Sequence, residues 1–358
     1  MQQVGSYIRS KNLRKKMAYK IQTFVVFLSG IFIGMFLISN EHSNKSLTHA
    51  YKQYENFKKN KKFNEWPDGF QVVNIASDVD NTVQPAYYYM PNIASAAPLV
   101  ISLHTWRGDY REYDPVSEFI KDAQYAYIHP NFRGRMNSPE SCCSDLVIAD
   151  IDMAIDFAIS NGNVDPDRIY LIGVSGGAYT ALCSYFRSKH VFKKIISWLP
   201  ITDLEAWYKE NLIRKELNFA NDILACTNST EGHLNTPEAR ARSPLYFDLP
   251  KHRFNNIDLD IYAGVYDGTF GNGTVPVTHA AFFYNNILSS MGIHDANALI
   301  SDRELLDLFE IKPPNKNLET INGNYVFLKK SIDNISVTFI GNGHDILPEY
   351  IFQQIKSE

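Results

Sequence analysis

Three side chains far apart in this chain have the types and order needed for acyl transfer: Ser175, Asp267 and His344. A serine hydroxyl is a weak nucleophile at neutral pH. It needs a base within hydrogen-bond reach and a third group that fixes the tautomer of that base. Ser175 stands in Gly173-Val174-Ser175-Gly176-Gly177, a Gly-x-Ser-x-Gly pattern. On a tight turn from strand to helix the serine backbone is strained, so its neighbours must lack bulk. In return the Oγ is presented at the positive end of a helix, and the next N–H is free to bind an oxyanion. The pattern alone arises by chance in about one chain in ten of this length, so its weight comes from its surroundings. Residues 169–172 before it read as a buried strand, and residues 178–182 after it continue as a helix.

The acid and the base are chosen by position. Asp267 follows the apolar run 259–265 and precedes Gly268, where a carboxylate can turn into a cleft; Asp258 and Asp260 lie at the other end of that run. Three histidines follow it. His279 falls inside a helix expected from residue 276, and His294 follows no strand. His344 ends Gly341-Asn342-Gly343-His344, just past an expected strand at 335–340. The oxyanion hole is expected to combine Gly176 N–H with the N–H of Trp106 or Thr105, in the loop Leu103-His104-Thr105-Trp106-Arg107 after an early strand. His104 has a plainer reading as a brace for that loop. The chemistry needs no metal or organic cofactor, and neither Cys-x-x-Cys nor His-Glu-x-x-His occurs.

Those residues need a sheet to hold them. Strands are expected at 71–76, 86–90, 98–104, 125–130, 194–199, 259–265 and 335–340, and helices at 145–160, 276–290 and 348–356. Strands alternating with helices predict an α/β fold with a doubly wound, mostly parallel sheet over residues 69–358. Two stretches exceed ordinary connections. Residues 201–256 carry a helix-like run at 212–224, and residues 292–334 carry another at 301–309 and a hairpin. Both are candidates for lid and substrate walls, with Trp207, Tyr208 and Phe270 as candidate substrate contacts.

The 358 residues are 45% hydrophobic with a formal net charge of −4, a globular composition that makes no electrostatic case for nucleic acid. Basic residues instead crowd residues 1–20, ahead of an apolar stretch at 21–39. Nineteen helical residues reach about 28 Å, close to a bilayer core. The basic flank places the N-terminus in the cytoplasm and the rest outside. The expectation is an uncleaved single-pass anchor followed by a spacer at 40–68; a secreted form after signal cleavage is the alternative. Outside the cytoplasm the four cysteines, Cys142, Cys143, Cys183 and Cys226, allow one or two disulfides, with three pairings for two bridges; the alternative is four unpaired thiols, with Cys183 buried on the helix after Ser175.

Several runs together resemble one family. They are Pro130-Asn131-Phe132-Arg133-Gly134, Asp150, Val164-Asp165-Pro166-Asp167-Arg168-Ile169 before the serine turn, Arg242-Ser243-Pro244, Asp267-Gly268 with Val275-Pro276 and His279, and Gly343-His344. Over about residues 95–358 the chain looks like the catalytic domain of prolyl-oligopeptidase-like (S9) serine hydrolases of the α/β-hydrolase superfamily. The resemblance implies Ser175 as nucleophile, Asp267 as acid and His344 as base, and gives Arg133 and Asp150 structural roles. It also shows departures. Gly176 replaces an aromatic, Thr105 stands where glycine is common, and residues 41–94 cannot hold the propeller of oligopeptide-cleaving members. The expected function is a membrane-anchored serine hydrolase acting on small acyl esters, acylated glycans or peptides. An acyltransferase or a catalytically silent binding protein on the same fold are the alternatives.

Overall fold

The computed structural model describes residues 65–230, 232–249, 256–269, 273–312 and 319–356. The expected basic tail, the anchor at 21–39, the spacer up to residue 64, and Phe270 lie outside the described residues. Among the described residues no helix is long and apolar enough to cross a membrane.

Strands β1 (Gln71–Ala76) and β2 (Val83–Tyr89) pair antiparallel, and β2 alternates between buried and partly exposed positions, as an outer strand should. Next come β3 (Ala97–Leu103), helix α1 (Val116–Asp122), β4 (Ala126–Pro130) and α2 (Asp145–Asn161). Both β3 and β4 are buried at every position, the signature of strands covered on two faces. Ser144 caps α2 by accepting from Val147 N–H.

The nucleophile strand β5 (Val164–Val174) begins five residues before the expected 169. The turn residues Asp165 and Pro166 fall within it, where the ladder to β3 is interrupted between Ala97 and Leu99 and Pro166 has no bond to lose. After it come α3 (Gly176–Arg187) and β6 (Lys194–Trp198).

The insertion then opens with α4 (Leu204–Arg214), α5 (Leu217–Cys226) and α6 (Thr236–Ala241). The single run expected at 212–224 is therefore two helices. Lys215 takes a left-handed conformation (φ 62°) and closes α4, its N–H bonding to Asn211 and Leu212 carbonyls. The rest of the chain is β7 (Asp258–Gly264), α7 (Val277–Ser290), α8 (Asp302–Phe309), β8 (Thr320–Ile321), β9 (Asn324–Ile332), β10 (Ile335–Ile340) and α9 (Pro348–Lys356). Ser301 and Glu304 form a capping box on α8.

The sheet order is β1-β2-β4-β3-β5-β6-β7-β10-β9-β8. Every pair from β4 through β10 in that order is parallel, with antiparallel strands at both margins. Alternate residues feed two cores. Leu99, Ile101, Leu171, Ile261 and Val337 face α2, α3 and α7, while Val100, Ile172, Trp198 and Ile340 face α1 and α9. Parallel strands end on one rim, so the residues after β3, β5, β7 and β10 share it.

All four cysteines are paired. Cys142–Cys226 (Cα–Cα 6.0 Å) ties the loop after β4 to the end of α5, and Cys143–Cys183 (6.1 Å) ties it to α3. Both vicinal cysteines have positive φ, 49° and 61°. The loop also holds Arg133, whose guanidinium grips the buried Asp150 at 2.6 and 3.0 Å and Asp80 at 2.6 Å. The role is structural, as the resemblance implies. Charge-assisted bonds of this kind satisfy a carboxylate that burial would otherwise leave exposed to a large desolvation cost.

Candidate active site

Ser175 sits between β5 and α3 with φ 57° and ψ −116°, a conformation that costs of order 1–3 kcal/mol and persists only where its surroundings enforce it. Two of those enforcing contacts are backbone bonds: Ser175 N–H donates to Trp198 O at 2.8 Å, and Ser175 O accepts from Tyr179 N–H at 2.9 Å. The serine is 8% exposed, so the turn leaves it largely covered. Part of the cover is the loop after β3. A Cβ on Gly176 would lie 2.4 Å from Trp106 N, which means the Trp106 backbone packs directly on the residue after the serine.

That contact bears on the two expected oxyanion donors. Thr105 N–H donates to Glu112 Oε2 at 2.6 Å and Thr105 Oγ1 to Glu112 Oε1 at 2.8 Å. Thr105 N–H is thus already committed, which corrects its place among the oxyanion candidates and leaves Trp106 N–H beside Gly176. The carbonyl of the same peptide unit faces the other way. Thr105 O accepts from Gly108 N–H at 3.1 Å and lies 2.9 Å from His104 Nδ1. Because the two dipoles of a trans peptide point oppositely, fixing Thr105 O fixes the aim of Trp106 N–H. His104 Nε2 lies 2.8 Å from Asn131 O, and burial pushes the His104 pKa down. The buried ring sits between the carbonyls of the two loops and braces them, as its plainer reading has it. Glu112 had no spacing signal in the sequence; only the fold shows what it holds.

A Gly176→Ala variant tests the assignment. Its methyl would collide with Trp106 N and Cα, at 2.4 and 2.5 Å, and push the two donors apart. With melting showing the variant folded, kcat should fall about 100- to 1,000-fold with KM little changed. An unaltered kcat would remove Trp106 from the hole.

Asp267 and His344 meet. His344 Nδ1 lies 2.5 Å from Asp267 Oδ2, across 77 residues of sequence. A carboxylate only accepts, so Nδ1 carries a proton, and in the neutral ring the lone pair is on Nε2. Asp267 is buried, and its Oδ1 accepts from Val275 N–H at 3.0 Å. Gly273 makes this possible: it adopts φ +65°, and a Cβ there would lie 2.0 Å from Asp267 Oδ1 and 2.7 Å from His344 Cβ. The histidine loop is then drawn back across the sheet. Trp198 Nε1–H donates to Asp345 O at 2.9 Å, and Trp198 O holds Ser175 N–H. The last residue of β6 therefore touches both the serine turn and the residue after His344.

His279 plays no part in this, in line with its position in the sequence. Its Nδ1 accepts from Thr202 N–H at 3.1 Å and its Nε2 bonds Glu210 Oε2 at 3.2 Å. Burial disfavours the Glu210 carboxylate, yet the His279 bond and the neighbouring charges hold its pKa below the ordinary value.

The insertion meets the rim through Trp207. Its ring packs edge-on against Trp106 (4.7 Å between centroids), and its Nε1–H donates to Thr274 O at 3.0 Å, beside the acid loop. Trp207 is 1% exposed and Tyr208 7%. That leaves both with little free surface for the expected role as substrate contacts; Trp207 packs instead behind the loops that carry Trp106 and Thr274. Asp222 of α5 meets Arg107 and Arg135 in front of the same loops, a cluster the sequence did not flag.

Residues 113–231 match the model of the Prolyl oligopeptidase family, a span that includes Ser175 and ends before Asp267 and His344. No curated protein sequence matches. Among solved structures, acylaminoacyl peptidase from Pyrococcus horikoshii is 19% identical with a TM-score of 0.50, over 66% of this chain and 36% of that one. An acylaminoacyl peptidase in complex with Z-Gly-Gly-Phe-chloromethyl ketone is 18% identical with a TM-score of 0.51, over 71% and 43%. A Mycobacterium tuberculosis puromycin-hydrolyzing peptidase is 14% identical with a TM-score of 0.50, over 80% and 38%. The matched part therefore spans well under half the length of these proteins. In its α/β-hydrolase-like sheet, its serine turn and the matched stretch, the chain resembles the catalytic domain of the prolyl-oligopeptidase-like serine hydrolases.

Proposed function

We propose that this chain is a serine hydrolase that cleaves ester or peptide bonds through an acyl-enzyme. Ser175 Oγ attacks the carbonyl carbon while His344 Nε2 takes its proton. Asp267 holds the ring in the tautomer that leaves Nε2 free and stabilises the imidazolium that forms. Charge developing on the carbonyl oxygen is met by Gly176 N–H and Trp106 N–H, donors fixed before substrate arrives. His344 then gives its proton to the leaving alcohol or amine. Water, deprotonated by the same nitrogen, then attacks the acyl carbon; the bond to Ser175 Oγ breaks, the carboxylic acid leaves, and His344 returns the proton to the serine. The single observation that carries the reading is the buried Asp267 bonded to His344 Nδ1 on the rim that also carries the strained Ser175.

The reading includes location: an anchor at 21–39 holding a hydrolase domain at 69–358 outside the cytoplasm. Two disulfides support it, since such bridges persist in oxidising compartments. A fluorophosphonate probe should label the wild type and leave Ser175→Ala unlabelled. Equal labelling of both would end the proposal. A panel of p-nitrophenyl esters of increasing chain length beside Pro-containing peptide amides then separates esterase from peptidase.

A further inference from the structure

Arg107 and Arg135 come from different loops, after β3 and β4, and are held side by side. Met136 N–H donates to Trp106 O at 2.9 Å, clamping the two loops between the arginines. Arg135 Nη2 donates to both oxygens of Asp222, at 2.8 and 3.1 Å, and Arg107 Nε lies 3.4 Å from Oδ2. Arg107 also lies over the Phe219 ring, 5.7 Å from its centroid. Both partners from the insertion, Phe219 and Asp222, belong to α5. The Cys142–Cys226 bridge anchors that helix, and Cys226 Sγ contacts Met136 O.

Its charges do not balance. Two guanidinium groups, 37% and 39% exposed in their side chains, share one carboxylate that is 7% exposed. Among the described residues neither arginine has a second acidic partner, and Arg135 Nε is buried with no hydrogen bond. That leaves one net positive charge, with unused planar donors on two partly exposed guanidinium groups. Arg107 is one residue, 3.8 Å along the chain, from Trp106.

Resting on the hydrolase reading above, we propose that Arg107 and Arg135 form an anion-recognising subsite beside the oxyanion hole, so that preferred substrates carry a carboxylate or phosphate-type group a few bonds from the scissile carbonyl. Guanidinium forks suit such groups, which they bind through paired charge-assisted hydrogen bonds. Asp222 sets the forks in place and leaves a net positive charge for the ligand.

The test uses matched pairs that differ only in charge. On the acyl side these are p-nitrophenyl hemisuccinate and its methyl ester. On the alcohol side they are 4-acetoxybenzoate and its methyl ester. Rates are expressed per serine titrated with a fluorophosphonate, so misfolded protein is not counted. In one of the two pairs the wild type should favour the anion, and the ratio of kcat/KM should fall about tenfold to a hundredfold in Arg107→Gln and Arg135→Gln. Arg→Lys at either position should restore part of it, and added salt should erode it in the wild type alone. The pair that responds tells which side of the scissile bond carries the charge. A labelled enzyme with no anion preference in either pair, or a preference that both Gln variants keep, overturns the subsite alone. An unlabelled wild type overturns the hydrolase reading and the subsite with it.

Discussion

His344→Ala should lower kcat by about four to six orders of magnitude, and Asp267→Asn by about four. The first change removes the nitrogen to which the proposed mechanism assigns the serine proton. The second keeps the shape but offers an amide where Nδ1–H needs a carboxylate, so the ring can turn its proton toward the serine. The two defects and Ser175→Ala should not add. Once any one member is gone, the remaining rate comes from Gly176 and Trp106 N–H and from binding, and a second removal costs little more. A double variant Ser175→Ala/His344→Ala should therefore match its single parents. Strict additivity, or wild-type kcat in His344→Ala with the fold intact, would mean that the Asp267–His344 pair is structural and the base lies elsewhere. KM should move far less than kcat throughout, because neither side chain holds the ground-state substrate.

The prediction uses residues that were readable in the sequence, and the reason is chemical. A strained serine needs glycine neighbours, and a carboxylate or imidazole at a parallel strand end needs a loop behind an apolar run. Each leaves a local mark, as at Gly173–Gly177, Asp267-Gly268 and Gly343-His344. The apolar runs also located the parallel strands, because burial on both faces leaves no alternation to mistake. What could not be read depended on contacts between distant segments. Nothing near residue 105 shows that Glu112 takes its N–H. Trp207 looked like a substrate contact because an aromatic in an insertion has no local sign of being buried; its cover comes from Trp106 and Phe219. The α4–α5 break turns on the left-handed Lys215, a conformation that lysine has no propensity to announce. The Arg107–Asp222–Arg135 cluster joins two loops and one helix that only the fold brings together.

The cysteine pairing belongs with these unreadable features, and removing it should have the second large effect. Cys142 and Cys226 close a loop with a sequence separation of 84, for which loop-closure entropy alone gives about 4.5 kcal/mol of stabilisation, within the 2–5 kcal/mol that native bridges commonly supply. Cys142→Ser/Cys226→Ser should therefore lower the denaturant midpoint by an amount worth about 2–5 kcal/mol. The two bridges should also differ in where the damage falls. Cys143–Cys183 joins the loop to α3 in the body of the sheet, so its loss should loosen the whole domain. Cys142–Cys226 holds the insertion, which is also fastened by Trp207 on Trp106 and Thr274, by Tyr179 Oη–H on Arg242 O, by Arg214 on Gly268 O and by Asp222 on Arg107 and Arg135, among other contacts. Its loss should let α5 open locally. Limited trypsin digestion reads this directly: cleavage after the exposed Lys215 should speed up in the 142/226 variant well before the body unfolds, and much less in Cys143→Ser/Cys183→Ser. The same opening would separate Asp222 from the two arginines, so any anion preference should fall together with protection at Lys215. Equal digestion of both variants, or a midpoint within 0.5 kcal/mol of wild type for either, would show that packing alone holds the insertion and that the bridges add nothing to the site.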